Sequence, residues 1–197
     1  MRKKVNWENY KEDFPSRYTK QDSYFDTIVV KAFADSSINR ILDVGGGHGT
    51  EAVKSDKVKV WLLDPNVPAK SWMEGNLDWK EVEAFRFDLA IARGSINYLT
   101  ERQIRLIPKI SKKFLANTFS KPPSIHWQKR EYETIDGTKG QEWFKFKDGK
   151  IEHKLTPNEG SEIIHNFFYY SVEQYKEMIP GVKIECYGKN SALLWLE

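Results

Sequence analysis

The chain has 197 residues, enough for one domain with an insertion, and its formal net charge of +3 is too small to imply a polyanionic partner. Cys186 is the only cysteine, which excludes a disulfide framework and a thiolate metal cluster. No apolar run is long enough to span a membrane, and the basic start Met1-Arg2-Lys3-Lys4 leads into no apolar segment, so a reduced, cytoplasmic compartment is expected.

Residues 7–24 are polar and aromatic, and Pro15 argues against a continuous helix through them. Phe25, Ile28, Val29 and Phe33 fall at helical spacing, which predicts a helix over 21–33 ahead of the first strand. Ile41-Leu42-Asp43-Val44 then breaks into Gly45-Gly46-Gly47-His48-Gly49. An apolar run that ends in an acid and then in glycines predicts a buried strand, a tight turn and a helix start, expected here over 50–55. The glycines let a ligand approach the main chain, and the amides of a helix start offer it a partly positive face. A second buried strand over 58–63 ends in Asp64, Pro65 and Asn66.

A short helix at best is expected around 68–73. Pro65 through Phe87 spans only 23 residues, so the outer half of the sheet is trimmed or its third strand is very short. Residues 87–92 alternate toward Arg93-Gly94-Ser95, with the Ser95 hydroxyl expected to cap a helix. Thr100 and Gln103 make a capping start, and Ile104, Ile107, Ile110 and Phe114 give a helical apolar face that Pro108 kinks or interrupts. The fifth strand is expected to be entered over 122–127. From 132 to 170, Asp136-Gly137 and Asp148-Gly149 separate strand-like segments, which predicts hairpins. Ser171 and Gln174 make a capping box for a helix that ends by Pro180-Gly181, and 182–186 and 192–196 form a final hairpin around Gly188-Lys189-Asn190.

Gly45, Gly47 and Gly49 make G-x-G-x-G, with Asp43 two residues before the first glycine. A dinucleotide fingerprint needs glycine or alanine at Thr50, and a phosphate loop needs Lys-Ser or Lys-Thr after its last glycine; both are missing. The stretch resembles motif I of class I S-adenosylmethionine-dependent methyltransferases. The resemblance implies an α/β, Rossmann-like fold. Its sheet is mostly parallel and of the seven-stranded type, closed by a terminal antiparallel hairpin, here with an antiparallel β insertion. It implies one methyltransferase domain: an N-terminal lid and helix over 1–40, a cofactor core over 41–131, an insertion capping the substrate over 132–170, and a terminal helix and hairpin over 171–197.

The implied cofactor is S-adenosyl-L-methionine, with S-adenosyl-L-homocysteine as product. The positions matching its site are Asp43, Gly45, Gly46, Gly47 and Gly49 in the glycine turn, then Asp64, Pro65 and Asn66, where the acid accepts hydrogen bonds from the ribose. Asn76, Leu77 and Asp78 match a segment that closes over the adenine. Arg17 and Tyr18 match a lid that contacts the methionine carboxylate, and Arg93, Gly94 and Ser95 line the crevice after the fourth strand.

That crevice lacks the Asp/Asn-Pro-Pro-Tyr/Phe of enzymes that methylate base amines, and Cys186 follows Glu185 rather than a proline. Residues 162–175 resemble small-molecule and amino-sugar N-methyltransferases. The expected reaction is N- or O-methylation of a small-molecule acceptor by direct displacement, without a metal, a membrane or a nucleic acid. Tyr98, Phe167 and Tyr169 are the candidate substrate contacts, with the acceptor expected between 93–98 and 163–170. On strand alternation His165, Phe167 and Tyr169 share one face, and Ile164, Asn166 and Phe168 the other. A base is needed only for an acceptor that arrives protonated; His165 and His126 are the candidates, since histidine titrates near neutral pH. Two other readings stand beside this one. The trimmed middle suits a non-catalytic cofactor-binding subunit or regulator. Lys109, Lys112, Lys113, Lys121, Lys129 and Arg130 suit an RNA methyltransferase, although such stretches are usually solvated faces.

Overall fold

The computed structural model describes residues 23–33, 35–46, 57–65, 68–133, 139–157, 163–187 and 190–197. These divide into two compact units, one of Tyr24–Lys121 with Tyr170–Glu197, the other including Pro122–Tyr169.

In the first unit the helix α1 (Ser23–Phe33) precedes β1 (Arg40–Val44), β2 (Lys59–Leu63), a two-residue β3 (Gly75–Asn76) and β4 (Phe87–Ala92). The helix α2 (Glu101–Ile110) leads directly into β5 (Ser111–Phe119). After the second unit come α3 (Val172–Met178), β10 (Lys183–Tyr187) and β11 (Ser191–Leu196). The sheet order is β10-β11-β5-β4-β1-β2-β3. β1, β2, β3, β4 and β5 run parallel, and β11 pairs antiparallel with both β5 and β10. Central parallel strands are covered on both faces, which is why 60–63 and 89–92 read as continuous apolar runs, 41–44 is broken only by Asp43, and all three are buried.

Phe25 and Val29 of α1 pack with Ile38, Ile41, Val60, Leu89, Ile91, Leu115 and Leu193. Burying each such side chain contributes about 1.5–3 kcal/mol. Ile104, Ile107 and Ile110 of α2 are buried as their spacing predicts. Both expected capping boxes form, Thr100 with Gln103 and Ser171 with Gln174. The third strand is indeed very short, and the segment from β3 to β4 holds only the 3-10 turn Val82–Ala84.

Three expectations are corrected. The fifth strand is Ser111–Phe119, not 122–127, and Phe114 belongs to it rather than to the helix. The helix contains Pro108 and runs on to Ile110; Ser111 is already extended, and both its amide and its hydroxyl, the latter at 2.8 Å, donate to the Ile107 carbonyl, satisfying a helix end without a loop. Residues 68–73 form no helix: 68–70 are irregular and a turn follows, with the Met73 amide on the Lys70 carbonyl at 2.9 Å. Among the described residues, no helix is long and apolar enough to cross a membrane.

Asp88 ties the amino ends of the central strands together. Its carboxylate accepts from the Asn39 and Arg40 amides at 3.0 and 3.1 Å and from Lys112 Nζ at 2.8 Å. Burial alone would raise its pKa, but the Lys112 and backbone hydrogen bonds outweigh burial and hold it below the usual carboxylate value. A depressed folded-state pKa contributes stability above the unfolded value of about 4 and loses it as pH falls through the folded value. Asp88→Asn should therefore be less stable than the parent at pH 7, and the gap in urea midpoint should close below about pH 4.

The second unit is a four-stranded antiparallel sheet in the order β6-β7-β8-β9: β6 (Gln128–Glu133), β7 (Lys139–Lys147), β8 (Lys150–Pro157) and β9 (Ile163–Phe168). It begins at Gln128, four residues before the sequence changes character, and the expected turn at Asp148-Gly149 joins β7 to β8, with both residues at positive φ.

Candidate functional site

Ligands of open parallel sheets gather at the carboxyl ends of the strands, where the order reverses. Here that point lies between β1 and β4. Val44 ends β1, and Gly45 follows at φ +63, its amide donating to the Leu63 carbonyl at 2.9 Å. A Cβ on Gly45 would lie 2.6 Å from the Cβ of Ser95, and one on Gly46 2.0 Å from Oδ2 of Asp43. The turn therefore excludes side chains at both positions, and its main chain stays bare. Asp43 is buried against it.

Ser95 does not cap a helix. The 3-10 turn Ile96–Tyr98 has no side-chain cap, and the Ser95 hydroxyl instead donates to the Val44 carbonyl. It thereby joins the loop after β4 to the end of β1. Gly94, at φ +64 and exposed, donates its amide to Asn117 Oδ1, while Arg93 is half-buried and Tyr98 exposed.

Asp64 follows β2 and is buried, at 8% exposure, and Pro65 is exposed. The Asn76 carboxamide lies against the Asp64 backbone: Oδ1 accepts from the Asp64 amide at 3.1 Å and Nδ2 donates to its carbonyl at 2.7 Å. The Leu77 amide donates to the Leu62 carbonyl at 2.8 Å. The Asp78 carboxylate caps the turn that follows, accepting from the Lys80 and Glu81 amides at 2.7 and 2.8 Å. Those bonds, the one from Glu81 foremost, lower its pKa. Asp43, Gly45, Gly46, Asp64, Asn76 and Ser95 thus gather at the carboxyl ends of β1, β2, β3 and β4. Arg17, Tyr18, Gly47, Gly49 and Asn66 lie outside the described residues, as does the helix expected over 50–55.

Sequence reasoning passed over the residues that hold the loop after β4. Asn97 is 4% exposed, and its Oδ1 accepts from the Thr118 hydroxyl at 2.6 Å and the Tyr175 hydroxyl at 3.1 Å. Tyr170 donates its hydroxyl to the Leu99 carbonyl at 3.0 Å and meets the Tyr175 ring edge-on. Burial, with the Glu101 charge second, pushes the Tyr170 phenol up to about 12, so it remains a donor at neutral pH. These bonds fix the segment 94–99 to β1, β5 and α3.

In the antiparallel unit a buried pair had also gone unread. His153 Nε2 lies 3.0 Å from Glu142 Oε2, its ring stacks on Phe144 at 4.2 Å, and Arg130 Nε lies 3.5 Å from Glu142 Oε1. A signal existed: an Asp148-Gly149 turn sets Phe144 opposite His153, which places Glu142 one step along the same face. His165 is opposite His153 in the register of β8 and β9, but its side chain lies outside the described residues. Phe167 is buried, Tyr169 half-buried with its ring edge-on to Phe146, and Asn166 exposed. His126 is exposed, its backbone amide bonded to Ser124 Oγ at 3.1 Å. Among the described residues no group of three His, Cys, Asp or Glu is arranged to hold a metal.

No protein-family model and no curated protein sequence matches this chain. Among solved structures it is similar to the glycopeptide N-methyltransferase MtfA complexed with sinefungin, at 14% identity and a TM-score of 0.51, covering 91% of this chain and 94% of that one. It is also similar to the N-terminal domain of EvdMO1 in the presence of SAH and D-fucose, at 11% identity and a TM-score of 0.49, covering 96% and 93%.

Proposed function

The chain has the class I S-adenosylmethionine-dependent methyltransferase fold, and from that premise we propose that it is a methyltransferase that takes S-adenosyl-L-methionine and methylates a small-molecule acceptor at nitrogen or oxygen. One observation carries the reading. The bare turn at Gly45 and Gly46 and the buried acid Asp64 stand on neighbouring strand ends, in a sheet whose antiparallel β11 lies between β5 and β10. Main chain that no side chain can cover suits a flat nucleoside, and a carboxylate at the next strand end suits its ribose hydroxyls.

When bound, the cofactor supplies a methyl group already activated by a positively charged sulfur. The chain's own residues then have three tasks. Gly45 and Gly46 leave the cradle open, Asp64 holds the ribose, and the loop 93–98, fixed from beneath by Asn117, Thr118 and Tyr175, keeps its place without reorganising. A base is needed only for an acceptor that arrives protonated, and His165 and His126 are the candidates for it.

A small acceptor is favoured by the loop sequence, which lacks the base-methylating signature. Two members of the basic stretch are also engaged: Lys112 bonds Asp88 at 2.8 Å and Lys113 bonds Asp35 at 2.7 Å. The test is calorimetric titration with S-adenosylmethionine and S-adenosylhomocysteine, then a methyl-transfer screen over amines, phenols and carboxylates. No binding of either nucleoside would remove the proposal; binding without transfer to any acceptor class would leave a cofactor-binding subunit. Asp64→Ala should weaken S-adenosylhomocysteine binding by about 1.5–3 kcal/mol, the range for hydrogen bonds to a charged group. Unchanged affinity in a folded variant would take Asp64 out of the site.

A further inference from the structure

We propose that Asn76 is a positioning residue that aims the Asp64 carboxylate, a role that rests on the cofactor reading above. The reasoning starts from the length of β3. It pairs with β2 only through Trp61 with Gly75 and Leu62 with Asn76, and the last backbone bond of that ladder runs from the Leu77 amide to the Leu62 carbonyl. Asp64 stands past the end of the ladder. On that side a longer third strand would have met its amide and carbonyl with a backbone partner, and this one is too short to do so.

The Asn76 side chain takes the place of that missing strand. A primary carboxamide holds its acceptor oxygen and its NH₂ donor in one plane, as a peptide group holds its carbonyl and N–H. Here each bonds the same residue: Oδ1 accepts from the Asp64 amide at 3.1 Å, and Nδ2 donates to the Asp64 carbonyl at 2.7 Å. Two bonds to one residue's main chain fix its backbone and with it the direction of its Cα–Cβ bond, which is what aims a short carboxylate. The residue type is specified narrowly. Aspartate lacks the donor and sets a second negative charge beside Asp64; glutamine is one methylene longer; leucine keeps the shape and has neither bond. The sequence pattern assigns Asn76 to the adenine, whereas its geometry assigns it to the neighbour that holds the ribose.

The test compares Asn76→Ala in two backgrounds, with S-adenosylhomocysteine, adenosine and 2′,3′-dideoxyadenosine as probes. In the parent, Asn76→Ala should weaken S-adenosylhomocysteine by about tenfold, and in an Asp64→Asn background by less than about twofold, because neighbours that act as a unit are not additive. The preference for adenosine over dideoxyadenosine should shrink in step, since only the ribose hydroxyls distinguish the two. An equal loss in both backgrounds, or a retained preference, means that Asn76 touches the nucleoside directly and overturns the proposal. Asn76→Leu repeats the comparison with side-chain volume kept. A ligand-free measurement stands beside these: exchange of the Asp64 amide hydrogen, followed by NMR, should be faster in Asn76→Ala and Asn76→Leu than in the parent. Unchanged exchange overturns the clamp itself. If the parent binds no S-adenosylhomocysteine while Asp64 exchange still depends on Asn76, the cofactor reading has failed and the positioning role with it, leaving a fold contact.

Discussion

Gly45→Ala should lower the unfolding free energy by about 2–5 kcal/mol, through left-handed backbone strain of about 1–2 and overpacking of about 1–3. Both terms have a stated origin. Gly45 sits at φ +63, and the added Cβ would fall 2.6 Å from the Ser95 Cβ. Ser95 has little freedom to retreat, being buried with its hydroxyl on the Val44 carbonyl. A control lies in the same chain. Gly149 has φ +73 with nothing within 4 Å of an added Cβ, so Gly149→Ala should show the strain alone, about 1–2 kcal/mol. Urea unfolding of the two variants separates strain from clash. Equal losses would mean that Ser95 moves aside, and the loop after β4 would then not be locked to the end of β1. Because the same clash pushes the two strand ends apart, Gly45→Ala should also abolish measurable binding of S-adenosylhomocysteine, while Gly149→Ala leaves it unchanged.

The parts of this fold that were legible in the sequence are those specified locally. β1, β2 and β4 are apolar runs ending in an acid or a glycine turn, and central parallel strands must look so because both faces are covered. The capping boxes were legible because a cap is a contact three residues long. β5 was misread for the opposite reason. Phe114 continues the spacing of Ile107 and Ile110, and the helix end is satisfied by Ser111 itself, so no glycine or loop marks the change from helix to strand. The pair Pro122-Pro123 then looked like the entry to a strand that had already ended. The hydroxyl of Ser95 was assigned to a cap because its true acceptor, the Val44 carbonyl, is 51 residues away. Asn97 escaped notice because Thr118 and Tyr175 reach it from a strand and a helix that no local pattern connects. Positions in the glycine turn could thus be read from composition, whereas what holds them in place could not.

If His165 serves as the base, His165→Ala should lower turnover by roughly 10²–10⁴-fold with little change in affinity for S-adenosylhomocysteine. The comparison residue is His153, opposite His165 in the register of β8 and β9. That histidine is buried, bonded to Glu142 at 3.0 Å and stacked on Phe144, which commits it to the interior of the antiparallel unit. His153→Ala should therefore act on stability, by about 1–3 kcal/mol for the lost hydrogen bond to the buried carboxylate of Glu142, which keeps Arg130 at 3.5 Å, with turnover per folded molecule unchanged. The two histidines stand across one ladder, and the two variants should separate cleanly, one in a rate and the other in an unfolding midpoint. A loss in His165→Ala that appears only in KM means that the side chain orients the acceptor and moves no proton. Full activity would take His165 out of the chemistry altogether. The remaining choice would then be between the exposed His126 and an acceptor that arrives already deprotonated, and His126→Ala decides it: an unchanged rate there means that alignment alone drives the transfer.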